Sequence, residues 1–134
     1  MTSTIFVDAL ALSSKKGHTL CFALQQEHNL NGTKIVMMTD DGKINAESYA
    51  QTIKADGYTF LNGCIHHNLF RCSASSEHFW DNVKKMFNTD NAKVITMSER
   101  AARVAKNNID DVVLICRNNP MEQAIQQLDI CQPA

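Results

Sequence analysis

Short apolar runs alternate with longer amphipathic stretches along this chain. The apolar runs predict β-strands at residues 4–12, 34–38, 58–65, 93–97 and 112–116. The stretches between them carry apolar residues at helical spacing, so a helix is predicted after each strand. Strands that alternate with helices indicate a parallel sheet covered by helices on both faces. We therefore predict a single three-layer, doubly wound α/β domain over residues 1–134, flavodoxin-like, with about five mostly parallel strands.

The clearest helical pattern begins after Ser75 and Ser76, either of which can cap the helix. One broad face of this predicted helix carries large apolar residues: Phe79, Trp80, Val83, Met86 and Phe87. Such a face packs against the core of a globular domain. Because core packing accounts for the chain's one tryptophan, we expect Trp80 to be buried.

Residues 92–128 read as strand, helix, strand and helix with almost no linker between them. Ser98 follows a β-rich run and is predicted to cap the first of these helices. Asn119 precedes Pro120 and is predicted to cap the second. The second helix has a predicted buried stripe: Met121, Ala124, Ile125 and Leu128.

This C-terminal segment resembles the end of uroporphyrinogen-III synthases. Those enzymes tend to close with an apolar strand, a Ser-Glu-Arg helix start, an Ala-rich helix, a valine-rich strand and a last helix. The run ITMSERAARVAKNNIDDVVLICRNNPMEQAIQQL has that order, and weaker similarity covers residues 30–60 and 75–87. The resemblance implies a protein that needs no cofactor and binds a tetrapyrrole or other acidic small molecule at the carboxyl ends of its strands.

Polar groups at helix starts are the binding candidates in such a fold, because ligands bind beyond the carboxyl ends of parallel strands. Helix N-termini accept carboxylate or phosphate through backbone N–H groups. The predicted ligand-binding residues are Thr39, Ser75, Ser76, Ser98 and Arg100. Helix capping alone also accounts for these serines, and catalytic residues stay unassigned. The turn at residues 13–17, SSKKG, could likewise hold an anion or be an ordinary loop.

The chain departs from the synthase pattern in ways that bear on activity. It has 134 residues, room for one domain, whereas the synthases hold their substrate between two. Asp40 and Asp41 stand in a loop where the family tends to have arginine and glycine, and they would repel a polycarboxylate. His66 lies near the position of the family's active-site tyrosine. We therefore expect little or no synthase activity, and a homodimer is the arrangement that could rebuild a cleft.

Two alternatives from other functional classes stay open. The first is a non-catalytic flavodoxin-like module that acts through protein contacts or regulation. The second is a small hydrolase or transferase that uses Asp8 and His66, although Asp8 could equally cap a turn or pair with a lysine. Nucleotide-binding loops of the GxGxxG and GxxxxGK[ST] types are absent, and so is a GxSxG nucleophile elbow.

Charge and cysteine content restrict the kinds of binding partner and the cellular compartment that are expected. The formal net charge is −1 and there is no basic run, which argues against nucleic acid as a partner. Five cysteines without a CxxC pair, and no visible signal peptide or membrane span, predict a cytoplasmic protein with free thiols. The spacing of Cys64, His66, His67 and Cys72 differs from known zinc-binding motifs, so no metal site is predicted.

Overall fold

The computed structural model of this chain contains one sheet of four parallel strands. The structure describes residues 3–41, 48–49 and 58–130. The strands are β1 Thr4–Asp8, β2 Lys34–Met38, β3 Ala92–Thr96 and β4 Asp111–Leu114. Their order across the sheet is β2-β1-β3-β4, so β1 and β3 are central and β2 and β4 form the edges. The predicted parallel α/β fold is confirmed, with four strands among the described residues in place of about five.

Helices flank this sheet and connect its strands. They are α1 Ala9–Ser13, α2 Gly17–Asn31, α3 His67–Phe70, α4 Glu77–Met86, α5 Glu99–Lys106 and α6 Met121–Gln127, with a 3₁₀ turn at Thr59–Leu61. The predicted stripe of α6 is buried as expected: Met121, Ala124, Ile125 and Leu128. The helix α2 buries Leu20, Cys21, Ala23 and Leu24. No helix within the described ranges has both the length and the apolar character needed to cross a membrane.

Two separate cores lie on the two faces of the sheet. Successive side chains of a strand point to opposite faces, so Ile5 and Val7 join one core while Phe6 joins the other. The first core is completed by α1, α2 and α6, and the second by α4 and α5. Both faces of the sheet are therefore covered, which gives the predicted three layers.

Trp80 is fully buried in the second core, as predicted. Its ring meets Phe6 and Phe79 edge-on, and its indole N–H donates to the Ala74 carbonyl at 2.9 Å. A buried indole needs such an acceptor. Met86, predicted on the same face, is 49% exposed, so the packed face of α4 ends one turn before the helix does.

The predicted third strand, residues 58–65, is wrong. Its first part forms the 3₁₀ turn Thr59–Leu61, where the Phe60 N–H donates to the Gln25 side chain of α2 at 3.0 Å. Gly63 then takes a φ of +83°, in the left-handed region that favours glycine. The segment meets the sheet through the Cys64 carbonyl, which accepts from the Met37 N–H at 2.8 Å.

Several predicted element boundaries are also corrected. The first strand ends at Asp8, because its carboxylate accepts from the Leu10 N–H and starts α1. Pro120 takes the N-cap position of α6, while the Asn119 amide donates to the Leu114 carbonyl at 2.8 Å. The helix predicted after residue 45 lies largely outside the described residues, within which residues 48–49 are helical.

Candidate functional site

Three of the predicted ligand-binding residues converge on the chain's own carboxylate, Asp40. Ser98 donates to Asp40 Oδ2 at 3.1 Å, and Arg100 Nη2 donates to the same oxygen at 3.0 Å. Asp40 Oδ1 accepts from the hydroxyl groups of Ser75 and, at 3.2 Å, of Ser73. We call this set the Asp40 network. It joins the loop after β2 to the start of α5, at the carboxyl edge of the sheet.

Asp40 is held in its ionised form by this network. Burial works against ionisation, but hydrogen bonds from Ser75, Arg100 and Ser98 outweigh it and lower the pKa of Asp40 below its ordinary value. Carboxylates that accept several hydrogen bonds behave in this way. The N-terminus of α5 favours a negative charge, and Asp40 supplies that charge from within the chain.

Thr39 and Ser76, the other two predicted ligand-binding residues, hold loops in place. The buried Thr39 hydroxyl accepts from the Asp41 N–H at 3.2 Å, and the Thr39 carbonyl accepts from the Ala74 N–H at 2.8 Å. Ser76 is the N-cap of α4 and accepts from the His78 N–H at 3.2 Å. Both side chains thus have partners within the fold.

Asp8, at the end of β1, bridges the two central strands. One carboxylate oxygen accepts from the Thr96 hydroxyl at 2.9 Å and the Met97 N–H at 3.0 Å, and the other caps α1 through Leu10. Burial raises the pKa of Asp8 against these hydrogen bonds, and the negative charge of Asp40 adds to the rise. Asp8 is therefore a buried cap between β1 and β3, with both oxygens occupied.

Asp8 and His66, the suggested hydrolase pair, lie at different ends of β2. Asp8 is opposite Met38 in the β1–β2 register, whereas His66 lines a cavity with Lys34 at the start of β2. A rise of about 3.3 Å per residue puts Lys34 and Met38 roughly 13 Å apart. The fold does not bring the two side chains together for acid–base work.

A cavity of about 400 Å³ opens at the carboxyl ends of β1, β3 and β4. We call it the carboxyl-edge pocket. Its apolar residues are Met97, Ile115, Pro120 and Met121, and its cationic residues are Lys15, Lys16 and Arg117. From β1 the chain continues to β2 on one side of the sheet, and from β3 it continues to β4 on the other side, so the two connections diverge between β1 and β3. The pocket lies at this point. This is the topological switch point at which open α/β sheets bind ligands.

The lining of the carboxyl-edge pocket is cationic. Lys16 Nζ lies 3.0 Å from Glu122 Oε1, and both side chains are at least half exposed. This contact lowers the pKa of Glu122, but an exposed pair of this kind contributes little stability. Lys15 and Arg117 form no ion pair with any described residue, and none of the described residues that line the pocket is acidic. Their field favours anions at this edge of the sheet.

The pocket lining combines apolar and cationic groups. Among the described residues it includes a free thiol, Cys116, but no histidine or carboxylate. In the described ranges no group of three or more metal-ligating side chains comes together. An apolar floor below exposed cations fits an acidic molecule with an apolar body.

Some segments that line this pocket could be recognised in the sequence, but their proximity in the fold could not. The turn at residues 13–17 is predicted to be able to hold an anion, and the predicted strand at residues 112–116 is followed directly by Arg117. Met97, Ile115 and Met121 read as ordinary core residues. They share a pocket because β1, β3 and β4 are neighbours in that order, and strand order is a long-range property.

The chain matches no protein-family model, and no curated protein is significantly similar to it. The resemblance to uroporphyrinogen-III synthases therefore stays a prediction from the residues. What the protein binds has to be inferred from the geometry and charge of its carboxyl edge.

Proposed function

We propose that this protein binds an acidic small molecule with an apolar body in the carboxyl-edge pocket, and that it has little or no uroporphyrinogen-III synthase activity. The observation that carries the proposal is the position of Lys15 and Arg117 above an apolar floor at the switch point of a parallel sheet. Ligand sites of this kind combine an apolar lining with a few polar groups that fix orientation.

Charge favours this pocket over the Asp40 network as the anion site. Ser75, Ser98 and Arg100 already serve the carboxylate of Asp40. An incoming acid would have to displace that carboxylate and would meet its repulsion. Lys15 and Arg117 carry no such internal partner among the described residues.

Size limits what the pocket encloses. Its volume of about 400 Å³ falls near the lower end of the ~300–1,000 Å³ range of small-molecule sites. One acid-bearing ring of a tetrapyrrole fits the proposal, with the rest of the macrocycle outside the pocket. The buried thiols Cys21 and Cys64 are free, and this supports a cytosolic location, where thiols stay reduced.

A protein-interaction module is the second candidate, and one observation favours it. Leu10 and Met97 are 48% and 41% exposed, and both backbone N–H groups bond to Asp8 at the same edge of the sheet. Exposed apolar residues at one edge suit a protein partner or a second copy of this chain. Sedimentation velocity measures whether the chain is a monomer or a homodimer.

Binding of uroporphyrin, followed by quenching of its fluorescence, tests the first candidate. We expect the double variant Lys15→Glu/Arg117→Glu to bind at least about tenfold more weakly than the native chain, since about 1.4 kcal/mol of lost attraction has that effect. Binding should also weaken as salt is added, because the cations are exposed.

The matched control is the double variant Lys84→Glu/Lys106→Glu. It changes the net charge equally, at exposed sites on α4 and α5, and should bind like the native chain. Equal affinity of the two double variants would contradict the proposal. Absence of uroporphyrin binding would favour the interaction module.

A further inference from the structure

A second cavity, of about 250 Å³, lies beside the edge strand β2 and shares no residue with the carboxyl-edge pocket. We call it the β2-edge cavity. On one side it is lined by the start of β2, from Lys34 to Val36. On the other side stand Asn62 and Gly63, from the segment at residues 58–65 that was predicted to be a strand, and His66, which follows that segment.

The backbone of β2 presents hydrogen-bonding groups to this cavity. The Lys34 N–H donates to Ser3, beside β1, and the Met37 N–H donates outward to Cys64. Because backbone groups alternate in direction along a strand, the N–H and carbonyl of Ile35 also face outward. No described residue receives the Ile35 N–H. An edge strand with such open groups is a ready template for a ligand.

Among the described residues, the side chains that line the cavity are rich in donors and include no carboxylate. Lys34 supplies an ammonium group, and Asn62 supplies an amide. His28 Nδ1 donates to the Thr33 carbonyl at 2.9 Å, which leaves Nε2 available. Burial, and then the charge of Lys34, lower the pKa of His66, so the imidazole is mostly neutral at physiological pH.

Aromatic side chains form the walls. Phe60 and Phe87 both line the cavity; Phe60 is buried, and the Phe87 ring is edge-on to His66, at 5.4 Å and 84°. A small aromatic ring can contact such side chains. The cavity is smaller than the ~300 Å³ at which typical small-molecule sites begin, so its ligand has to be small.

We propose that the β2-edge cavity is a second ligand site, which takes a small aromatic monocarboxylate. Its carboxylate accepts from the Ile35 N–H and pairs with Lys34, while its ring lies against Phe60 and Phe87. A cation is disfavoured because Lys34 repels it and no acid in the lining offsets that repulsion. A neutral ring would leave the ammonium group without a counter-charge.

Acid should strengthen this binding. The titratable groups that face the cavity are His28 from α2, Lys34 from β2 and His66 from the loop before α3. As the pH falls from 8 to 6, the His66 imidazole begins to gain a proton, later than an ordinary histidine would because its pKa is lowered, and the lining gains positive charge. By linkage, a bound carboxylate stabilises the protonated imidazole and raises the pKa of His66.

Sodium benzoate is the probe, and nuclear magnetic resonance of the native chain is the readout. We expect saturable shifts of the Ile35 amide and the His66 ring, tighter binding at pH 6 than at pH 8, and a raised pKa of His66 at saturation. Lys34→Gln should weaken binding at least tenfold. Lys84→Gln, at another exposed lysine, should leave it unchanged.

Two comparisons make the site falsifiable. Benzyl alcohol, which keeps the ring without the charge, should bind far more weakly, and equal binding would overturn the carboxylate assignment. The variant Lys15→Glu/Arg117→Glu should keep its benzoate site, whatever becomes of uroporphyrin binding. Loss of the benzoate shifts in that variant, or absence of saturable shifts in the native chain, would overturn the proposal.

Discussion

Two aspartates at the carboxyl edge of the sheet have pKa values shifted in opposite directions. Asp8 is buried between the central strands, and burial raises its pKa. Asp40 is more accessible and accepts from serines and Arg100, which lower its pKa despite partial burial. As the pH falls, Asp8 should therefore take up a proton before Asp40. Environment, rather than residue type, decides the charge of each.

These shifts have opposite effects on stability. Asp40, with a lowered folded-state pKa, stabilises the fold above its ordinary value of 3.8, and this contribution is lost as the pH falls through the folded-state pKa. Asp8 has a raised folded-state pKa, so its ionisation destabilises the fold at pH values above that pKa. The destabilisation is absent at pH values below the ordinary aspartate pKa of 3.8.

Asp40→Asn should destabilise the protein by about 1 kcal/mol at neutral pH, because serine and guanidinium donors lose a charged acceptor. The difference from the native chain should begin to shrink as the pH falls below the ordinary value of 3.8, and should vanish only below the lowered folded-state pKa of Asp40. Urea unfolding at pH 7 and pH 3 measures both. Asp110→Asn, at an exposed position, is the control and should be neutral. A difference for Asp40→Asn that persists unchanged in acid would contradict the assignment.

The Asp40 network shows why this edge was only partly predictable from sequence. Sequence reasoning placed Ser75, Ser98 and Arg100 at strand ends and treated Asp40 as an unfavourable charge nearby. The serines and the arginine lie 35, 58 and 60 residues from Asp40 along the chain. Local patterns identify helix caps, but they do not reveal that distant caps share one carboxylate.

Among the elements, the tight contact between α1 and α2 positions the turn that lines the carboxyl-edge pocket. α2 begins at Gly17, whose N–H donates to the Ser14 carbonyl at 2.9 Å. A Cβ added at Gly17 would lie 2.0 Å from the Leu12 carbonyl oxygen. Glycine therefore allows the two helices to approach, and residues 14–16 take their place in the pocket as a result.

Gly17→Ala should destabilise the protein by about 1–3 kcal/mol, as overpacking does, and should weaken ligand binding at Lys15. Thermal unfolding and uroporphyrin binding measure the two effects. Gly32→Ala is the comparison. Gly32 has a φ of +66° but open space around its Cβ position, so its cost of about 1–2 kcal/mol comes from the backbone alone, without loss of binding. Unchanged uroporphyrin binding by Gly17→Ala would contradict the role given to this contact.

Helices were more predictable than strands for a physical reason. The caps Ser76 and Ser98 act within one turn of their own helices, so the sequence contains the whole signal. The β-rich run at residues 58–65 had strand propensity, but Gln25 from α2 takes the Phe60 N–H. Strand formation depends on hydrogen-bonding partners from elsewhere in the chain. Here the Gln25 side chain, rather than a neighbouring strand, accepts the hydrogen bond from the backbone N–H of Phe60.

For the whole molecule, the strand order keeps the two cavities apart. The carboxyl-edge pocket lies at the ends of β1, β3 and β4, and the β2-edge cavity lies at the start of β2. Substitutions in one cavity therefore change no lining residue of the other. Sites without shared partners usually respond additively to mutation, so each proposal can be tested without disturbing the other.

The last prediction concerns synthase activity of the whole chain. We expect the isolated protein, supplied with hydroxymethylbilane, to form almost no type III uroporphyrinogen above the spontaneous type I product. The described residues form one sheet, so they offer no facing α/β domain to close over a tetrapyrrole. The pocket of about 400 Å³ holds one acid-bearing ring, and the ionised Asp40 and neighbouring Asp41 would repel the other acid groups.

Isomer analysis of the product at several protein concentrations decides this point. Type III product that rises steeply with concentration would show that two copies build the cleft. Type III product independent of concentration would show that one sheet suffices, and would contradict the argument from charge and size. Asp40→Ser/Asp41→Ser removes the repulsion while leaving the pocket unchanged. If that variant stays inactive, the small size of the pocket, rather than charge, is what limits synthesis.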